Sequence, residues 1–114
     1  MSKPIASHEK RIHPRKVLRT QVLFEDETGE GFIYFYSTDV STGGIFLESD
    51  IPLEMGTMVS LQFHLGEGYS PIRTAGRVVR VEKQPHDTLP VVGMGLQFDF
   101  LSEEQKKALA DFTR

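Results

Sequence analysis

Apolar and polar positions alternate in twos along most of this chain, the period of a half-buried β-strand rather than of a helix. Thr20, Val22 and Phe24 share one face of a first strand, which the acidic, glycine-containing stretch Glu25 to Gly31 closes. Phe32 to Val40 is a second strand, rich in aromatic and β-branched residues, and Gly43-Gly44 turns it into a third, Ile45 to Ser49. Pro52 and Gly56 bound a loop. In Met58 to Leu65, Val59, Leu61, Phe63 and Leu65 alternate with Ser60, Gln62 and His64, giving one buried face and one wet face. Gly66 to Pro71 is a turn, Ile72 to Lys83 a long strand with a candidate bulge at Gly76, and Gln84 to Pro90 a polar loop. Val92, Met94, Leu96, Phe98 and Phe100 then occupy one face of a last strand, while Gly93 and Gly95 leave its other face bare, open to another backbone or a ligand.

The period changes only at the end. Ser102 and Gln105 have the spacing of a capping box, and Gln105, Ala108, Leu109 and Phe112 form a helical stripe behind it. Six strands with hairpin-length connections and one terminal helix predict an all-β fold, an antiparallel barrel with the helix covering one opening or edge. There is no internal repeat and no low-complexity segment.

At 114 residues the chain is one ordinary domain, long enough to bury a core without a staple. It has no cysteine, which removes thiol catalysis, redox motifs and thiolate metal sites and suits a reducing compartment. No stretch reaches the length of a membrane span, so the expectation is a cytoplasmic protein without membrane insertion. The net charge of −3 hides an asymmetry: up to Arg19 six cationic residues stand against one carboxylate, a net +5, which leaves −8 on the remainder. A basic arm leading into an acidic domain suits an anionic ligand at the arm and argues against a nucleic-acid polymer as partner.

Two short motifs carry candidate chemistry. Arg15 and Arg19 lie four apart, a spacing that puts both on one side whether the arm is extended or helical, and Pro14 helps aim the first. Arginine's planar fork suits the O6 and N7 acceptors of guanine or a pair of phosphate oxygens. Asp39 offers an acceptor for guanine N1–H and N2–H₂, Ser41 adds a hydroxyl, and Gly43 and Gly44 remove side chains that would obstruct a flat base. Each motif has a plainer reading beside this one: solvent-facing arginines at a strand entrance, and an ordinary hairpin turn. Together they match the two halves of a site for a guanine-bearing phosphodiester. Enzyme motifs fail on spacing. Ser41 lacks the preceding glycine of a nucleophile elbow, Gly93-x-Gly95-x-x-Phe98 has Phe where a dinucleotide turn needs Gly, and His8, His13, His64 and His86 show no metal-ligand spacing. The expectation is therefore a binding protein, not an enzyme, with no cofactor and no metal.

Arg15-Lys-Val-Leu-Arg19 followed by Asp39-Val-Ser-Thr-Gly-Gly44 resembles the paired motifs of the PilZ domain family, bacterial receptors for cyclic di-GMP. Gly43-Gly-Ile-Phe-Leu, Gly76-Arg-Val-Val-Arg-Val and Gly93-Met-Gly-Leu-Gln-Phe are similar to the family's strand sequences. The resemblance implies a six-stranded antiparallel PilZ-type β-barrel with a C-terminal α-helix over 13–114, preceded by a flexible basic arm over 1–12. It also implies that Arg15 and Arg19 hold the guanines and phosphates of cyclic di-GMP, and that Asp39, Ser41 and Gly44 are the family's Asp, Ser and Gly. Family members often carry a further arginine where this chain has Pro14, so one ligand per site, or a weaker pair, is implied here. The expected function is a receptor whose arm, from about Ser7 to Arg19, orders over the ligand and signals to an unidentified downstream protein. The alternatives are a PilZ-like interaction module that binds no cyclic di-GMP and, from another class, a small barrel that binds single-stranded nucleic acid, which the acidic body disfavours.

Overall fold

The alternation becomes strands wherever one face can be buried. The computed structural model describes residues 15–25, 32–49, 53–84 and 91–114. The strands are β1 (Lys16–Val17), β2 (Gln21–Glu25), β3 (Phe32–Val40), β4 (Gly44–Ser49), β5 (Met58–Phe63), β6 (Ile72–Gln84) and β7 (Val91–Phe98), followed by helix α1 (Glu103–Phe112). The arm at 1–12, Pro14 and the expected loops at 26–31 and 85–90 lie outside the described residues.

Every strand pairing is antiparallel. The order β3-β2-β5-β6-β7-β4 returns to β3 through a β3–β4 ladder, which closes a six-stranded barrel as the alternation predicts. Val22, Phe35, Leu47, Phe63, Val78 and Leu96 point inward and are buried. Phe24 meets Phe35 edge to face at 4.5 Å, and Phe63 stacks on Phe98 at 5.8 Å.

Three details depart from the sequence reading. Strand pairing is present before Thr20: β1 pairs Lys16 with Val40 and Val17 with Asp39, beyond the stretch of β3 that β2 covers. Buried Ser37 explains the join, because its hydroxyl donates to the Leu18 carbonyl and accepts from Thr20 N–H at 3.0 Å, satisfying the backbone where β1 gives way to β2. Gly76 is not the bulge. It faces the core, where a Cβ would stand 2.8 Å from Leu61 Cδ2, and the β6 register slips instead between Val78 and Arg80. Phe100 lies past the end of β7 and is exposed, not buried with Phe98.

The helix forms as its cap predicts. Ser102 Oγ accepts from Gln105 N–H at 3.1 Å and Gln105 Oε1 accepts from Ser102 N–H at 2.9 Å, while Gln105 Nε2 donates to the Arg73 carbonyl and ties the first turn to β6. Leu109 is buried, and Ala108 and Phe112 pack against the core. At the last turn the Tyr69 hydroxyl donates to Asp111 at 2.7 Å, a bond to a carboxylate that holds the phenol above its ordinary pKa. Because β3 ends at Val40, β4 begins at Gly44 and β7 ends at Phe98, the 41–43 turn lies at the end of the barrel from which the chain enters the helix.

Candidate functional site

The turn between β3 and β4 is built by one hydroxyl. Ser41 Oγ accepts from the N–H groups of Gly43 and Gly44 at 3.1 and 3.2 Å, and Ser41 N–H donates to the Gly44 carbonyl at 2.9 Å. Ser41 is buried, so its acceptor capacity is consumed locally and its own proton remains for a further partner. Gly43 returns its carbonyl to Phe98 N–H at 2.9 Å. Gly44 pairs with Gln97 on β7, where a Cβ would lie 2.2 Å from the Leu96 carbonyl oxygen. The close approach of two strands therefore already requires glycine at 44, without any flat base above it.

Asp39 stands two residues before Ser41 on β3, past a second bulge. The β3–β4 register slips between Ser37 and Asp39, Thr38 is the extra residue, and Asp39 faces outward opposite Phe46. Arg15 Nε donates to Asp39 Oδ1 at 2.6 Å and the Arg15 Nη2 ion pair with the same oxygen reinforces it, while Thr38 Oγ1 donates to Oδ2 at 3.1 Å. Arg15 and Asp39 are each about 30% exposed, so the pair sits at a rim open to solvent. The structure thus brings Arg15 and Asp39 together directly, although the sequence reading assigns them to separate motifs.

Ladder register extends this pair sideways. Asp39 pairs with Phe46, Phe46 with Gly95 and Gly95 with Arg80, so one row runs across β3, β4, β7 and β6 on the outer face of the barrel. At the usual strand spacing the row is about 14 Å long from Asp39 to Arg80. A cleft of about 340 Å³ follows most of it, lined by Arg15, Ser41, Gly44, Phe46, Arg80 and Gly95 among others, while Asp39 lies outside the lining and borders the cleft through its bond to Arg15. The face left bare by the β7 glycines is partly used: a Cβ on Gly93 would stand 2.7 Å from the Phe46 ring, which lies over it, while Gly95 opens into the cleft.

Arg19 is the site residue that stands apart. It is exposed where β1 gives way to β2 and does not line the cleft. Lys16, next to Arg15 in sequence, points elsewhere, with Nζ 4.7 Å from the centroid of the Phe112 ring on the helix. Arg80, Phe46 and Val79 escaped the sequence reading. Strict alternation from Val78 would turn Arg80 inward, and only the bulge at Val79 puts it outside; the adjacent apolar pair Val78-Val79 ahead of an arginine was the signal. Among the described residues no group of three metal-ligating side chains converges, and no helix is long and apolar enough to cross a membrane.

Comparison with known proteins gives this geometry a setting. The model of the PilZ domain matches residues 9–114, whereas no curated protein matches the chain. Among solved structures, the Bacillus subtilis inhibitor of motility MotI/DgrA is similar with a TM-score of 0.77 and 21% identity, over 90% of this chain and 49% of that one. The PilZ domain of Escherichia coli YcgR, solved with c-di-GMP, gives a TM-score of 0.75 at 13% identity, over 91% and 88% of the two chains. K. pneumonia MrkH in its c-di-GMP complex gives 0.74 at 23% identity, over 89% of this chain and 49% of its own. At such identities the likeness is one of fold, and the chain spans about half the length of MotI/DgrA and MrkH.

Proposed function

The chain belongs to the PilZ domain family, and from that premise we propose that it is a cyclic di-GMP receptor whose site is the outer-face cleft at Arg15, Asp39 and the 41–44 turn. One observation carries the reading: Arg15 and Asp39 present a donor fork and an acceptor side by side at the rim of that cleft. Guanine carries the matching set, with O6 and N7 to accept from the arginine and N1–H and N2–H₂ to donate to the carboxylate. Each partner of the ion pair can thus exchange the other for the base without losing hydrogen bonds. The exchange costs little, because a solvent-open ion pair is worth only about 0–1 kcal/mol.

The remaining roles follow from position. Ser41, Gly43 and Gly44 shape the wall beside the base, with the Ser41 proton as the one donor the turn leaves over. Arg19, exposed and outside the cleft, takes a phosphate when the arm at 1–12 and the residues after it close over the ligand, and the altered surface is what a downstream protein reads. Binding, not catalysis, is the activity; its setting is the bacterial cytoplasm. A PilZ-like interaction module without ligand is the second reading, favoured by one observation: backbone geometry alone accounts for Ser41 and Gly44.

Calorimetric titration with cyclic di-GMP, cyclic di-AMP, GTP and an oligonucleotide separates the readings. Saturable binding of cyclic di-GMP is expected, with cyclic di-AMP at least tenfold weaker, since a good bidentate contact discriminates by about 1–3 kcal/mol. Equal binding of the two dinucleotides, or of none, sinks the receptor.

A further inference from the structure

We propose that Arg80 is a second anchoring arginine of the cleft and that Glu82 is its exchangeable counter-ion, a built-in competitor that the ligand displaces and that lowers affinity. This rests on the receptor reading and adds to it the far wall of the site. Arg80 lines the cleft at the opposite end of the ladder row from Asp39, about 14 Å along the curved outer face across three strand steps. A guanine seated on Asp39 does not reach that far, but a ligand of two nucleotides does.

The local build shows why an arginine stands there. The bulge at Val79 reverses the parity of β6, so Arg80 leaves the core side and lies on the outer face opposite Gly95. A Cβ on Gly95 would stand 3.3 Å from Arg80 Cβ and 3.5 Å from Phe46, so the glycine keeps the floor open between guanidinium and ring. A flat base or a phosphate can enter that gap and find a stacking surface on one side and a donor fork on the other. Arg80 is 59% exposed and is ion-paired to Glu82.

That ion pair is the second half of the inference. Arg80 Nε lies 2.8 Å from Glu82 Oε2, with Glu82 itself 42% exposed. Arg15–Asp39 at one end of the cleft and Arg80–Glu82 at the other are therefore equivalent devices with one difference. Asp39 can accept from guanine once Arg15 leaves it. Neither carboxylate lines the cleft, but Asp39 pairs with Phe46 in the row that borders it, whereas Glu82 pairs with Gly93, which the Phe46 ring covers, and acts on an anion in the cleft as repulsion. Removing the Asp39 carboxylate therefore costs a ligand contact, whereas removing that of Glu82 frees an arginine.

Titration of the full chain with cyclic di-GMP, over two salt concentrations, tests both halves. Glu82→Gln is expected to bind about two- to fivefold tighter, the range of an exposed ion pair. Arg80→Ala is expected to bind about tenfold more weakly and with a shallower salt dependence, its thermal midpoint unchanged without ligand. In the Arg80→Ala background the gain from Glu82→Gln should vanish, because the two act through one contact. Arg80→Ala binding like the parent, or a Glu82→Gln gain that persists without Arg80, overturns the inference while the receptor stands. No binding by the parent overturns the receptor reading, and the role of Arg80 with it.

Discussion

The 41–44 turn and the outer row from Arg15 to Arg80 border the same cleft, yet they are held in opposite ways. In the turn the contacts run to backbone: Ser41 Oγ accepts from two N–H groups and keeps only its own proton for another partner, the Gly43 carbonyl accepts from Phe98, and Gly44 is wedged against the Leu96 carbonyl. Along the row, Arg15, Asp39, Arg80 and Glu82 are bound to one another by ion pairs open to solvent. Groups committed to backbone define a shape and cannot leave it. Charges paired at the surface define a chemistry and can change partners for about the energy of a weak contact. Substitutions in the turn should therefore register as stability, and substitutions in the row as affinity.

Gly44→Ala is the hardest test of that division and the largest expected effect. A methyl group 2.2 Å from a carbonyl oxygen cannot be relieved by a rotamer, so β4 and β7 must separate where Gly44 pairs with Gln97. A loss of about 3 kcal/mol is expected by urea unfolding, the upper range for forcing an extra carbon into a packed site. A stability within about 0.5 kcal/mol of the parent would show that the turn is looser than its geometry, and that glycine there serves the ligand instead.

On the other side of the comparison, Arg15→Ala and Asp39→Ala should each weaken cyclic di-GMP binding by at least tenfold, about 1.4 kcal/mol or more. Arg15→Ala should leave unfolding free energy within about 0.5 kcal/mol, because an exposed pair holds little of the fold. Asp39→Ala also leaves Thr38 Oγ1 with the Phe46 carbonyl at 3.3 Å as its acceptor and should cost at most about 1 kcal/mol of stability as well. Parent-like titrations for both variants would move the ligand away from this rim.

The fold was legible because period-two patterning and a capping box are local. Val59 to Leu65 and Ser102 to Gln105 carry their own signals, and burial of one face decides the rest. What escaped depended on pairs of strands. The bulge at Val79 exists only relative to β7, so Arg80 reads as an inward position until Gly95 is set opposite it. Gly76 offered a bulge by type and proved a core position by contact with Leu61. Arg15 and Asp39 were legible as types with matching chemistry, but 24 residues separate them, and their hydrogen bond is a property of the barrel. Arg19 carried the same signal as Arg15 and lies outside the cleft lining, since spacing along the chain does not report where β1 gives way to β2.

Ser41→Ala tests the turn more gently. It removes the acceptor of two N–H groups at a buried position, and a loss of about 1–2 kcal/mol in unfolding free energy is expected. Binding should fall by less than it does for Arg15→Ala, because only one donor faces the cleft. A variant as stable as the parent that nonetheless loses binding completely would move Ser41 from the scaffold to the ligand.

Lys16→Ala should have the smallest effect and draws the line between the two regions most finely. Lys16 is the immediate neighbour of Arg15 and carries the same charge, but its ammonium sits 4.7 Å from the Phe112 ring centroid, on the helix rather than in the cleft. The substitution should cost about 0.5–1 kcal/mol of stability through the lost cation–π contact. Its effect on cyclic di-GMP affinity should be at most about twofold, from the charge it removes near an anionic ligand at moderate salt. If binding depends on the planar fork of Arg15, the two neighbouring variants will differ by several-fold or more in affinity although their net charges are equal. Equal losses for Arg15→Ala and Lys16→Ala, both abolished by added salt, would mean that the basic arm acts as a diffuse positive field, and the geometry at Asp39 would then have no part in recognition.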